Sequence, residues 1–191
     1  MKSFPFITLI IAATLTGCVN LKPKPDRTQV FALASDVAAS ADVADKPECY
    51  ISRVEVPGFL EGTHIYYRSG NGELDSAAGA RWAEAVSEAL PRAIGIHMQA
   101  TGLAQVRAYY PWPKKTRDAP KVSVQFERFS ANAAGQVEVI AQWQIEMKTG
   151  SKSEGRYIAP DLSWDGVEIA DYVAKLNTAL AGLAAEIAQE L

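Results

Sequence analysis

Two cysteines and two histidines are the only thiols and imidazoles in this chain of 191 residues. They are Cys18, Cys49, His64 and His97. The histidines do not stand at H-x-x-x-H spacing, and a Cys–His metal cluster would have to rely on Cys49 alone. The sequence holds no G-x-S-x-G elbow, no G-x-G-x-x-G turn and no P-loop. A Ser/His/Asp triad drawn from distant residues stays open, because triads are defined by geometry and not by order along the chain. The expectation is a chain without enzymatic activity, metal or cofactor.

Cys18 differs from the other three because of what precedes it. Lys2 supplies a positive start, residues 4–15 form an apolar run, and Thr16 and Gly17 are small. This is the anatomy of an export leader, too short to span a bilayer. Leu15-Thr16-Gly17-Cys18 has the form of a bacterial lipobox, L-[AST]-[GA]-C. In that chemistry the thiol takes diacylglycerol through a thioether, the chain is cut before the cysteine, and the freed amine takes a further acyl chain. The alternative is an ordinary secretory leader with a chance cysteine. One acyl chain binds a membrane reversibly, whereas two or more hold stably. The expected organisation is a signal peptide over residues 1–17, a lipidated cysteine with a Lys/Pro tether over 18–27, and one domain over 28–191.

The tether sets a distance. Pro23 and Pro25 stand between lysines in the nine residues from Val19 to Arg27. Extended at about 3.1 Å per residue, that segment reaches about 28 Å. A domain built from the rest is about 40 Å across, so it stays close to its membrane and a partner must come to it. The net charge of −3 and a hydrophobic share of 48% exclude a disordered chain and a general polyanion binder, and no nucleic-acid partner is expected. With Cys18 lipidated, Cys49 has no intramolecular partner. It opens an apolar strand, which favours a buried thiol over a reactive one.

The elements that must position these residues follow from periodicity. Thr28–Ala34, Glu48–Val56, Thr63–Arg68 and Ala104–Tyr110 read as strands, with 37–45 as a linker and turns at Pro57-Gly58 and Gly70-Asn71-Gly72. Val122, Val124 and Phe126 alternate with polar residues, and so do Val137, Val139, Ala141, Trp143, Ile145 and Met147. Joined by a loop over 130–136, they predict an antiparallel hairpin with one dry face. Glu154–Ala159 extends it as an edge strand. Apolar spacing predicts a helix over Ala78–Ala100, kinked or split at Pro91 and stopped by Gly102. A closing helix carries the stripe Val173, Leu176, Leu180, Leu183 and Ile187, with Asp165 and Glu168 as its capping box. The expected fold class is α+β, a mostly antiparallel or mixed sheet covered by two main helices in a single domain.

Two segments carry side chains suited to a partner. In Pro57-Gly58-Phe59-Leu60-Glu61, Phe59 and Leu60 are apolar residues on a turn. They either plug a core edge or meet a partner. The second is Tyr109 to Arg117, where Tyr110, Trp112, Lys114, Lys115 and Arg117 interleave rings with cations. That loop is open to three uses: a protein hot spot, a lipid-headgroup contact, or a Pro-stiffened loop packed back on its own domain.

The order of these features resembles the ABC-type transport auxiliary lipoproteins, the PqiC/YmbA family. "VEVPGFLEGTHIYYRSGNGEL" is similar to the family's V-x-x-P-x-Y-L-D-R…I-x-x-R…N-x-L stretch, and "RWAEAVSEALPRAI" to its R-W-A-E-x-L helix. "VSVQFERF" with "AQWQI" resembles its paired strands, and "YVAKLNTALAGLAAEIAQEL" its closing helix. The family's Y-L-D-R is Phe59-Leu60-Glu61-Gly62 here. The resemblance implies a non-enzymatic component of a system that moves lipids between the inner and outer membranes, working beside MCE-domain proteins and ABC transporters. It implies an outer-membrane lipoprotein facing the periplasm, and Val19 agrees, since an aspartate after the cysteine is the inner-membrane retention signal of enteric sorting. Two other uses stay open. One is direct lipid carriage between helix and sheet; the other is activation of a cell-wall enzyme, which calls for a long tether that this chain lacks. Cys18→Ala should move the protein from the membrane fraction to the soluble extract; a variant that still sediments with membranes rules out the lipobox.

Overall fold

In the computed structural model, which describes residues 26–38, 43–52, 54–109 and 119–191, the alternating stretch folds as the central hairpin. Strand β6 (Lys121–Ala131) pairs antiparallel with β7 (Val137–Glu146), and β7 with β8 (Lys152–Ile158). Val122, Val124, Phe126, Val139, Ala141 and Ile145 are buried on one face, as the period of two requires. A bulge at Glu127, between Phe126 and Arg128, shifts the register so that Phe129 and Ala131 keep facing the core. The strand runs on to Ala131, two residues into the expected loop. Asn132 then closes the turn, its side-chain oxygen accepting from the N–H groups of Ala134 and Gln136 at 2.9 and 3.0 Å.

Parallel pairing completes this sheet. β2 (Glu48–Ile51) lies between β6 and β5 (Gln105–Tyr109), giving the order β5-β2-β6-β7-β8. The expected strand over 48–56 is regular only to Ile51, and Glu55 rejoins the sheet as an isolated bridge to Gln125. The remaining strands form a second sheet of order β1-β4-β3, with β1 at Gln29–Phe31, β3 at His64–Arg68 and β4 at Leu74–Trp82. Strand β1 is shorter than expected because Ala34 takes a left-handed φ of 55°, fixed by its N–H donating to the Asn177 side chain at 2.8 Å.

The first helix is where sequence periodicity misplaces a boundary. Helix α1 covers Val86–Ala100, and residues 78–82, expected as its first turns, belong to β4. Their Ala-rich composition favours a helix, but pairing with β1 on one side and β3 on the other overrides it. Gly79 marks the override. It adopts φ 71° in the bulge that lets Ala77 and Ala80 both turn inward. Helix α1 is continuous through Pro91, which lies close to its start, and it ends at Gly102 with φ 72°.

Helix α2 (Ile169–Gln189) begins later than its capping box proposed. No side chain caps it; the Asp165 carboxylate is engaged by the N–H of Val167 at 2.9 Å instead. Its buried stripe includes Leu176, Leu180, Leu183 and Ile187, and burying such side chains contributes roughly 1.5–3 kcal/mol apiece. The two helices pack on each other and α2 lies on β7, so the fold is α+β with two main helices on mixed sheets. No described helix is long and apolar enough to cross a membrane.

Tyr172, in the first turn of α2, ties the two sheets together. Its hydroxyl donates to the carbonyl of Tyr66 in β3 at 2.8 Å and accepts from the N–H of Ala131 in β6 at 2.9 Å. Its ring stacks on Trp164 at 4.8 Å, and Trp164 meets Tyr67 edge-on at 5.3 Å. Burial holds the phenol above its ordinary pKa. Tyr172→Phe should cost about 1–3 kcal/mol, because it leaves a buried N–H without its acceptor. Urea unfolding measures this, and a loss within error of zero rules out the hydroxyl as a strut.

Candidate functional site

Pro57 ends the Val54–Val56 segment, and the chain tightens into a single 3-10 turn over Gly58–Leu60. The N–H groups of Leu60 and Glu61 donate to the carbonyls of Pro57 and Gly58 at 2.9 and 3.3 Å. The turn splits its two apolar residues. Leu60 is only 2% exposed and plugs the core, so it offers no surface to a partner. Phe59 stays half-exposed and meets Tyr66 edge-on at 6.0 Å.

Beside this turn is a groove of about 910 Å³. Val54, Glu55 and Val56 line one side. Their backbone is pinned to β6, where the Glu55 N–H donates to Val124 at 3.0 Å and the Phe126 N–H donates to Glu55 at 2.9 Å. Ala85, Ser87, Glu88, Pro91 and Arg92, the opening turns of α1, line the other. Glu61 comes from the 57–61 turn and Tyr109 from the end of β5. Thus the two segments singled out from the sequence converge on one groove, each contributing a residue. Tyr110, Trp112, Lys114, Lys115 and Arg117 lie outside the described residues, as does Cys18.

The groove mixes an apolar lining with acidic walls. Val54, Val56, Pro91 and Tyr109 supply the first, and Glu55, Glu61 and Glu88 the second. Its one guanidinium, on Arg92, is ion-paired with Glu84. Burial raises the Tyr109 phenol. The ring sits against α1 where Gly95 leaves room, and a Cβ at that position would run into it. Such a surface can hold a partner segment with apolar and basic side chains.

A second, shallower depression of about 690 Å³ lies on the outer face of the larger sheet. There Arg156 grips Glu127 with two bonds of 2.8 and 3.0 Å, and Gln142 adds a third. These donors hold the Glu127 carboxylate down at about 2, with Arg156 the main cause. Its charges are thus largely engaged with one another.

The remaining chemistry-bearing residues stand apart from both. Cys49 is fully buried, as its strand position led us to expect, and burial pushes its thiol up to about 12. His97 is buried, with its Nε2 unpartnered among the described residues, and burial lowers its pKa below the usual imidazole value against the opposing pull of the Asn177 side chain. His64 is exposed on β3 and tilted against Tyr66 at 5.7 Å. Among the described residues no group of three His, Cys, Asp or Glu is placed to hold a metal. Sequence reasoning missed Glu88, Ser87 and Arg92 as groove residues, and only the packing of α1 against the 54–61 segment reveals them.

This α+β domain with a surface groove falls into a known class. The sequence matches the ABC-type transport auxiliary lipoprotein component over residues 31–188, and the chain belongs to that family. A crystal structure of an uncharacterized protein superposes with a TM-score of 0.67 at 18% identity, covering 85% of this chain and 98% of the other. A protein of family DUF330 from Xanthomonas campestris superposes with a TM-score of 0.60 at 14% identity, covering 83% and 92%. Both likenesses are of fold. No curated protein matches the sequence.

Gly95→Ala tests how the groove's aromatic end is held. Displacing Tyr109 should cost about 1–3 kcal/mol from overpacking, against a gain of about 1 kcal/mol in helix propensity. Denaturant unfolding with Tyr109→Leu and the double variant as partners measures it. If Gly95→Ala is equally harmful with and without the Tyr109 ring, the packing account fails.

Proposed function

We infer that the chain is a lipid-anchored, periplasmic docking component of an ABC-type system that moves lipid between membranes. Cys18 carries diacylglycerol and an N-acyl chain, and Val19 favours the outer membrane over the inner one. In this reading the protein performs no catalysis. The partner that comes to it is an MCE-domain protein with its associated transporter.

The observation that carries the reading is the groove formed where the 57–61 turn meets the end of β5. It is open, and its carboxylates Glu55, Glu61 and Glu88 outnumber Arg92. An exposed site with satisfied backbone and free acidic walls suits a protein segment better than a lipid tail. The alternative of an acyl chain held between helix and sheet finds less support. Val139, Ala141, Leu176, Leu180, Leu183 and Ile187 fill that layer and are fully or almost fully buried. Activation of an envelope enzyme has no specific observation in its favour.

Charge reversal at the groove tests the reading directly. Glu61→Lys with Glu88→Lys should weaken binding to the purified MCE-domain protein about tenfold or more, equivalent to about 1.4 kcal/mol. Calorimetry or co-sedimentation on the full chain reads this, with a circular dichroism spectrum confirming the fold. Unchanged affinity removes the groove from the docking surface, and no binding by the wild-type chain removes the MCE partner.

A further inference from the structure

The described chain starts at Asp26, three residues before β1, so anything attached through Cys18 enters at the edge of the smaller sheet. The eight residue-to-residue steps from Cys18 to Asp26 span at most about 28 Å. The outer face of that sheet is unlike the outer face of the larger one. Register places Val30, Arg81 and His64 in one row across β1, β4 and β3. The next positions on the same side carry Tyr66 and then the pair Arg68 and Leu74. Val30 is 52% exposed and Leu74 42% exposed. Phe59 extends the patch by its edge-on contact with Tyr66.

Exposed aliphatic residues, half-exposed rings and arginines together form the composition that settles at a membrane interface. Rings tolerate the boundary between headgroup and acyl chain, and guanidinium groups pair with phosphate. Arg81 donates to the carbonyl of Trp82 at 3.3 Å, and the exposed carboxylate of Asp26 at the chain's entry point acts on it only weakly. On the larger sheet, by contrast, Arg156 and Lys152 are engaged by Glu127 and Gln144 within their own face.

The geometry points to a second contact with the membrane. The outer face of the β1-β4-β3 sheet lies on the anionic headgroups of the bilayer that holds the lipid anchor, with Arg68 and Arg81 on phosphate and Val30, Leu74 and Phe59 at the interface. This rests on the anchored reading of Cys18. The short reach of residues 18–26 keeps the face within a few tens of ångströms of that bilayer, and its charge complements the headgroups. The contact fixes the orientation of the domain, which acyl chains on a tether cannot do.

The test is hydrogen exchange on the full lipidated chain in two kinds of vesicle, one rich in phosphatidylglycerol and one of phosphatidylcholine alone. Amides of β1 and β3, the two edges of the smaller sheet, should exchange about fivefold more slowly or slower still in the anionic vesicles, with β8 as the unaffected reference. Arg68→Glu with Arg81→Glu should abolish the difference while leaving the circular dichroism spectrum unchanged. Equal rates in both vesicles overturn the proposal, whether uniformly fast, as for a face in water, or uniformly slow, as for a face covered by protein. The intact mass of the chain reports separately on Cys18. An unmodified thiol defeats the anchored reading, and the same comparison on the unanchored full chain then decides the face by itself.

Discussion

One phenol oxygen holds this architecture in register. The two sheets share no strand; β3 lies against β6, and α2, which packs on β7, reaches both through Tyr172. At the Tyr172 hydroxyl, β3 supplies an acceptor and β6 a donor, so the oxygen is satisfied only when both strands are in place. A buried polar group of this kind contributes modestly when bonded and costs more when orphaned. It therefore selects one arrangement of the sheets over others that would bury the same apolar area. Trp164 reinforces the choice, since its indole N–H donates to the Glu168 carbonyl while its ring fills the space between Tyr67 and Tyr172.

That junction governs both candidate surfaces. The smaller sheet is placed by β3, and the 57–61 segment reaches β3 through a short connection. Leu60 locks the segment inward, while Phe59 and Glu61 on either side of it point to different duties. Between helices and sheet the layer is filled by buried apolar side chains, Leu176, Leu180, Leu183 and Ile187 among them. The groove and the outer face of the smaller sheet are both on the outside of the domain.

The parts legible in the sequence are those where a single face is buried. Alternation over Val122–Met147 fixed the hairpin because a slip of one residue would have turned every apolar side chain to water. The α2 stripe was legible for the same reason, though Val173 was placed at its head and Tyr172 passed over, since a tyrosine's partners cannot be read from spacing. The start of α1 was not legible. Residues 78–82 have a helical composition and become a strand only through neighbours distant in sequence, with Gly79 as the one local sign. Similarly, nothing local tells which of Phe59 and Leu60 turns inward. The groove was half legible: the two segments were identified, but the α1 residues that complete it had no signal until the helix was in place. The family likeness read from the order of motifs agrees with the family match over residues 31–188.

Charge gives the two surfaces a common logic. The outer face of the smaller sheet carries Arg68 and Arg81, and the groove is lined by Glu55, Glu61 and Glu88. Phe59 belongs to the first and Glu61 to the second, and they stand two residues apart. An anionic bilayer attracts any basic segment within a Debye length of about 8 Å and gives it no fixed position. In the proposed docking role, an acidic groove beside that face would compete for the same segment and fix it, because carboxylates on a rigid wall hold charge in register while headgroups diffuse. A domain with both surfaces acidic would be pushed off its membrane, and one with both basic would present a partner with no reason to leave the lipid. On the proposed anchored and docking reading, arginines next to the tether and carboxylates beside them are the arrangement that would let a short leash present a docking site without losing it to the bilayer.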